Sequence, residues 1–247
     1  MLRKDPNRRR SQKGGRSSRG AGASRAEAGS SSTGRQSPNA FVLYVEGARD
    51  REILACWARR AEPSLARCIE RNSFILGGRQ PARALADFRK RGGAGAGLSG
   101  LIVLDRDHHE HEHEAPGAHV ASDEAGLEVF VWSLRHIESY LLVPAALRRL
   151  LRVAVDDPRV ERALADEVDR EGIESGADSL HAKRILGAGG SLSEALGTEL
   201  RAGDIARAMR PEDLHEDVRA LLTRIGSLSG VVPKGPEVVV RSAASDD

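Results

Sequence analysis

The sequence predicts an α/β fold, a mostly parallel central sheet flanked by helices and followed by a C-terminal helical extension. Three observations predict it. Residues 41–45 (Phe-Val-Leu-Tyr-Val) and 101–104 (Leu-Ile-Val-Leu) are short, unbroken apolar runs, the pattern of central strands with both faces covered. Between them, apolar residues recur at the three-and-four spacing of amphipathic helices. From Pro144 to Gly226 that helical spacing takes over, with Leu147, Leu150, Leu151, then Val160, Leu164, Val168, then Ile205, Met209, Val218, Leu221 and Leu222. Four segments result: a disordered basic tail (1–38), an α/β core (39–143), a helical extension packed on it (144–228) and a flexible tail (229–247).

Residues 1–38 are Arg, Ser and Gly with little to bury, so they cannot recover the entropy lost on ordering. They carry a net charge of +8, against −6 for the remainder. Such a tail is either solvated or an arm whose Arg8, Arg9 and Arg10 touch nucleic-acid phosphates. It has no aromatic residue on which a base could stack.

The first strand stops at Glu46-Gly47, and Ala48 to Ala61 reads as a helix burying Ile53, Leu54 and Trp57. Asp50, in its first turn, suits the positive end of the helix dipole. Pro63 reads as the close of that helix. Residues 68–76 read as a second strand ended by Gly77-Gly78, and residues 81–91 as a helix. That helix turns Leu85 and Phe88 inward and Arg83, Arg89, Lys90 and Arg91 outward, a face that is solvated or meets nucleic acid. Residues 92–100 read as a Gly-rich turn before the second key strand and Asp105-Arg106-Asp107. The His/Glu run 108–114 has no zinc-like spacing and reads as a loop insertion, with a transition-metal site as the sharper alternative. Residues 127–132 form another strand, residues 134–141 begin a helix with Ile137, Leu141 and Leu142 inward, and Pro144 fits the first position of the next.

Composition sets limits. Aromatics are 3% of 247 residues, so aliphatic side chains must fill the core. Cys56 and Cys68 are too few for a disulfide framework or a zinc site and read as small buried residues. No apolar run approaches the roughly 20 residues of a membrane span, and the basic start lacks the apolar stretch of a secretory signal. The cytoplasm is the expected location, with no membrane partner.

Glu46 follows the first strand and Asp105 and Asp107 follow the second. Acids that leave parallel strands meet in the crevice at the sheet's carboxyl edge, where open α/β sheets bind ligands. Crowded carboxylates repel one another and call for cations. Oxygen donors of this hardness suit Mg2+ or Mn2+.

Val45-Glu46-Gly47-x-x-Asp50, Asp105-x-Asp107 and Leu134-Arg-His-Ile-Glu-Ser-Tyr-Leu141 together resemble a Toprim domain. The resemblance is nearest to the Toprim half of OLD-type (overcoming lysogenization defect) nucleases and to stand-alone Toprim-like proteins associated with bacterial ATPases, and it covers roughly residues 40–150. It implies metal-dependent phosphodiester cleavage of nucleic acid, in a bacterial phage-defence system whose ATPase is a separate chain, since no Gly-x-x-x-x-Gly-Lys-Ser/Thr loop occurs here. Glu46, Asp105, Asp107 and Glu138 become metal ligands, Glu46 and Lys183 catalytic groups, and Asp50 a support behind the ligands. Ala182 stands where the family has a Gly before the Lys, and on residue pattern alone Glu138 and Lys183 also read as solvated helix positions. DNA is the first expected partner and RNA the second, with a homodimer as one arrangement. The alternative is a non-catalytic Toprim-like module that binds nucleic acid or another protein. A topoisomerase would need a Tyr-bearing cleavage domain, a primase a zinc module. A glycosyltransferase would leave Glu46 unexplained, and dehalogenase-type phosphatases carry Asp-x-Asp on the first strand.

Overall fold

The computed structural model describes residues 40–106, 119–171 and 180–231. The chain divides into two units, 1–35 and 36–247, and only the second holds described residues. The tail with Arg8, Arg9 and Arg10, the His/Glu run, Asp107 and residues 232–247 lie outside them.

The sheet has five strands: β1 (Ala40–Val45), β2 (Ser73–Ile75), β3 (Leu98–Leu104), β4 (His119–Ala121) and β5 (Leu127–Val131). Their order is β2-β1-β3-β5-β4. The first four run parallel, and the short β4 pairs antiparallel with β5. An antiparallel edge strand on a parallel sheet is common in such folds. The alternation of side chains explains why β1 and β3 read as unbroken apolar runs. Phe41, Leu43, Val45, Leu101 and Val103 face one core, while Val42, Tyr44, Ile102 and Leu104 face another.

On the second face lies α3 (Pro81–Lys90), which contributes Ala84 and Phe88. The first face carries the larger core. There α1 (Ala48–Ala61) and α2 (Pro63–Asn72) pack together and meet the helices of the extension: α4 (Pro144–Leu151), α5 (Arg159–Glu171), α6 (Ala182–Ile185), α7 (Ser191–Ala195), α8 (Ala202–Ala208) and α9 (Glu216–Ser229). Val218, Leu221 and Ile225 of α9 share one apolar cluster with Leu43 and Leu101 of the sheet. Trp57 of α1 donates its indole N–H to Met209 Sδ just beyond α8, at 3.1 Å. Among the described residues no helix is long and apolar enough to cross a membrane.

Several local expectations are corrected. Residues 68–76 are mostly helix, and the strand there is only Ser73–Ile75. Pro63 opens α2 at its first position, where its missing N–H costs nothing, and the Glu62 carboxylate caps it by accepting from Ser64 N–H at 3.0 Å. Helical spacing of Leu65, Ala66 and Ile69 toward the core outweighs the strand preference of the residues that follow. The Gly-rich turn ends earlier than residue 100: a short 3-10 turn spans Gly93–Ala96, and β3 begins at Leu98. Gly100 lies inside β3 because a Cβ there would stand 2.7 Å from Leu127 Cδ1 and 3.0 Å from the Phe88 ring. Residues 134–141 do not begin an α-helix. They form a single 3-10 helix, Ile137–Leu141, after which Pro144 starts α4.

Candidate functional site

The site lies at the carboxyl edge of β1 and β3. Backbone N–H groups of Gly77 and Gly78 both donate to the Glu46 carbonyl, at 2.9 and 3.0 Å. That clamp needs φ values of +80° and +117°, which glycine adopts without Cβ strain. The Glu46 side chain then crosses to the neighbouring strand end, where its Oε1 accepts from the Asp105 N–H at 2.8 Å. Two acids 59 positions apart are thereby joined.

Asp105 is 6% exposed. Its Oδ1 accepts from Ile137 N–H at 3.1 Å, its Oδ2 accepts from Lys183 Nζ at 2.5 Å, and its carbonyl accepts from Arg79 at 2.5 Å. This one residue ties the end of β3 to the 3-10 helix, to α6 and to the β2–α3 turn. Glu138, on that 3-10 helix, is 1% exposed. One of its oxygens lies 3.4 Å from Arg49 Nη1, and the other has no hydrogen-bond partner among the described residues. Asp50 accepts from Gly47 N–H at 2.8 Å and so fastens the start of α1.

The electrostatics are those of acids in excess. Burial, with the Asp105 and Glu138 charges adding to it, pushes Asp50 up to about 7 although the Gly47 N–H opposes the shift. Burial also raises Glu46 and Glu138, again partly offset by Lys183. Burial works against the Lys183 charge, but its hydrogen bond to Asp105 and the charges of Asp105, Glu138 and Asp50 outweigh that and hold its pKa above the ordinary value. Lys183 is therefore the shared countercharge of the cluster. Beside it, His136 and His181 pack ring to ring at 4.8 Å. Burial, and then the Lys183 charge, lower His136 to about 4 and keep its imidazole neutral.

The donor set suits a hard divalent cation: carboxylate oxygens in excess, one of them buried and unpartnered. As the side chains stand, however, no three ligating groups among the described residues are grouped closely enough to hold an ion. A cavity of about 320 Å3 lies elsewhere, between α4, α5 and α7, and none of these acids lines it.

Glu46, Asp50, Asp105, Glu138 and Lys183 are thus brought together, and Asp107 lies outside the described residues. The basic residues of α3 show no bond to these acids among the described residues. Arg89 pairs with Glu124 at 2.6 Å, Lys90 is exposed, and Arg83 donates to the Leu76 carbonyl. Sequence reasoning missed Arg49, Arg79, His136 and His181. Arg49 lies inside the Glu-Gly-x-x-Asp motif and His136 inside the 134–141 run, so both were in view without a chemical role. Arg79 follows the Gly-Gly turn and had no signal of its own.

No protein-family model matches the sequence, and no curated protein matches it. Among solved structures the chain is similar to the C-terminal region of the Burkholderia pseudomallei OLD protein, at 17% identity and a TM-score of 0.44, covering 79% of this chain and 99% of that one. It is also similar to the C-terminal region of the Xanthomonas campestris pv. campestris OLD protein, at 18% identity and a TM-score of 0.37, covering 77% and 96%. On its own strand order and burial, the chain is an α/β domain whose mostly parallel sheet gathers buried acids around one lysine.

Proposed function

We infer that this domain is a Toprim-type, metal-dependent nuclease that cleaves phosphodiester bonds in DNA. The observation that carries the reading is the Glu46–Asp105–Lys183 chain of hydrogen bonds at the carboxyl edge, set among acids whose ionised forms are disfavoured. A protein that needed these residues only for stability would satisfy the buried Glu138 oxygen.

Glu46, Asp105, Asp107 and Glu138 would hold Mg2+ or Mn2+, and Asp50 would support them by fixing the Gly47 turn. When bound, the cation supplies positive charge at the phosphate oxygens. The residues do the rest. Asp105 N–H holds one Glu46 oxygen and leaves the other to take a proton from an attacking water. The raised pKa of Glu46 makes that transfer easier near neutral pH. Water oxygen adds to phosphorus as the bond to the leaving sugar oxygen breaks. Asp105 keeps Lys183 protonated and aimed, so that its ammonium offsets charge developing on the phosphate. The same reading places the protein in the cytoplasm, with a separate ATPase chain as partner in phage defence.

Nicking of supercoiled plasmid in Mg2+ or Mn2+ tests it. Asp105→Ala and Lys183→Ala should each lower the rate by about 100-fold or more, with melting temperatures checked alongside. Absence of cleavage with either cation, with and without an added ATPase, overturns the nuclease and leaves the non-catalytic binding module.

A further inference from the structure

Arg49 is a cation in a place that disfavours one. It stands in the first turn of α1, at the positive end of the helix dipole, where acids are stabilised and guanidiniums are not. Its side chain is 60% exposed and reaches across 89 positions to donate to one oxygen of Glu138, at 3.4 Å. Arg59, in the last turn of the same helix, shows the ordinary arrangement, a cation at the negative end paired with Glu70 at 2.5 Å.

The Arg49–Glu138 pair is loose. Lys183 meets Asp105 at 2.5 Å, and the Lys183 charge bears more strongly on Glu138 than the Arg49 charge does. Among the described residues Arg49 makes no second ion pair or hydrogen bond, so most of its five donors stay open. A guanidinium that lies mostly in solvent can leave without disturbing the core. Glu138 supplies the second observation, because it is 1% exposed and its other oxygen has no hydrogen-bond partner among the described residues. A buried carboxylate matched this poorly yields to a stronger cation, and a divalent ion carries twice the charge of a guanidinium. The displaced guanidinium is then a planar fork beside the acids, and forks of this kind match phosphate oxygens. The first turn of α1 favours an anion at the same place.

We propose that Arg49 is a displaceable countercharge: it holds Glu138 while no divalent cation is bound, and once a cation takes that carboxylate its guanidinium turns to a phosphate of the DNA strand. The proposal deepens the nuclease reading and rests on it for the cation and the phosphate. It gives a role to the one charged residue of the Glu-Gly-x-x-Asp segment that had none. It also sets an order of events, since Arg49 grips the strand only after the cation is in place.

The test has two halves, both on the full chain. In calorimetry with Mn2+ alone, Arg49→Gln should bind the ion about two- to fivefold more tightly than wild type, because the competing cation is gone. Arg59→Gln, which removes the same charge from the far end of α1, should bind Mn2+ as wild type does. The second half measures binding to a fluorescein-labelled DNA strand, first in EDTA and then in Ca2+, an oxygen-ligated ion of the same charge, with the strand checked for integrity. Wild type and Arg49→Gln should bind alike in EDTA, and in Ca2+ wild type should bind roughly three- to tenfold more tightly. A structural role, or a plain surface charge, would give the same ratio in both solutions. An Arg49→Gln isotherm for Mn2+ no tighter than wild type overturns the proposal, as does an affinity ratio for DNA that Ca2+ leaves unchanged. A ratio that rises in Ca2+ without plasmid cleavage in Mg2+ or Mn2+ would retain the role of Arg49 and reject the nuclease. Cleavage with an unchanged ratio would do the reverse.

Discussion

The 3-10 helix Ile137–Leu141 stands between two buried acidic centres that solve the same problem in opposite ways. On one side Asp217, near the start of α9, receives the Tyr140 hydroxyl at 2.5 Å, the Ser133 hydroxyl, and the Ser133 N–H at 3.3 Å. Tyr140 in turn accepts from Leu134 N–H at 3.0 Å. Burial and then the Asp217 hydrogen bond raise the phenol's pKa, so it stays a donor. On the other side Glu46, Asp50, Asp105 and Glu138 share Lys183, with an oxygen of Glu138 left over. The Asp217 knot is complete and joins the end of β5 to α9. At the site one Glu138 oxygen has no partner among the described residues, and on the proposed reading a bound cation would supply the charge. Local polar rules are broken where function outweighs stability.

Breaking the knot should give the largest effect on folding. Asp217→Ala leaves a buried phenol, a hydroxyl and an N–H without their acceptor, and chemical denaturation should report a loss of about 2–4 kcal/mol. The equivalent change at the site has the opposite sign. Glu138→Gln removes a buried charge that the fold disfavours, so without divalent cation it should stabilise the protein by about 1 kcal/mol while abolishing any stabilisation by Mn2+.

The contrast also predicts a pH dependence. Asp50 holds its proton up to about pH 7 in the folded chain, against about 3.9 for an unfolded Asp. The folded state binds the proton more tightly, so this contribution is full below about pH 4 and is lost as pH rises to about 7. Asp50→Asn, which keeps an acceptor for Gly47 N–H, should flatten thermal stability across that window and melt no lower than wild type at pH 8. Arg89→Ala, at an exposed ion pair with Glu124, should change stability by less than about 1 kcal/mol.

What was legible in the sequence follows the same division between local and tertiary causes. The strand 41–45, the helix Ala48 to Ala61 and the start at Pro144 have strong local signals: unbroken apolar runs, helical spacing, a proline at a helix start. Glu46 and Asp105 could be brought together because parallel strands deliver their ends to one edge. Residues 68–72, the second half of α2, read as strand because residues 68–76 give no clear period, and the Glu62 cap on Ser64 N–H has no strong signature in the sequence. Gly100 looked like turn because only tertiary packing against Phe88 and Leu127 explains it. Lys183 lies 78 positions from Asp105, and no spacing rule links them. Only the resemblance to OLD-type nucleases singled it out. Arg79 escaped notice because a side chain that donates to a main-chain carbonyl leaves no pattern in sequence.

Calorimetric titration of Mn2+ into the full chain, with Glu46→Ala and Asp105→Ala in parallel, tests most directly that the site's unmatched acids await a divalent cation. Saturable binding by the wild type, lost or weakened at least tenfold in both folded variants, is the predicted result. No binding heat, or the same isotherm in all three proteins, would contradict the assignment and make the excess of buried acid an unexplained cost to the fold.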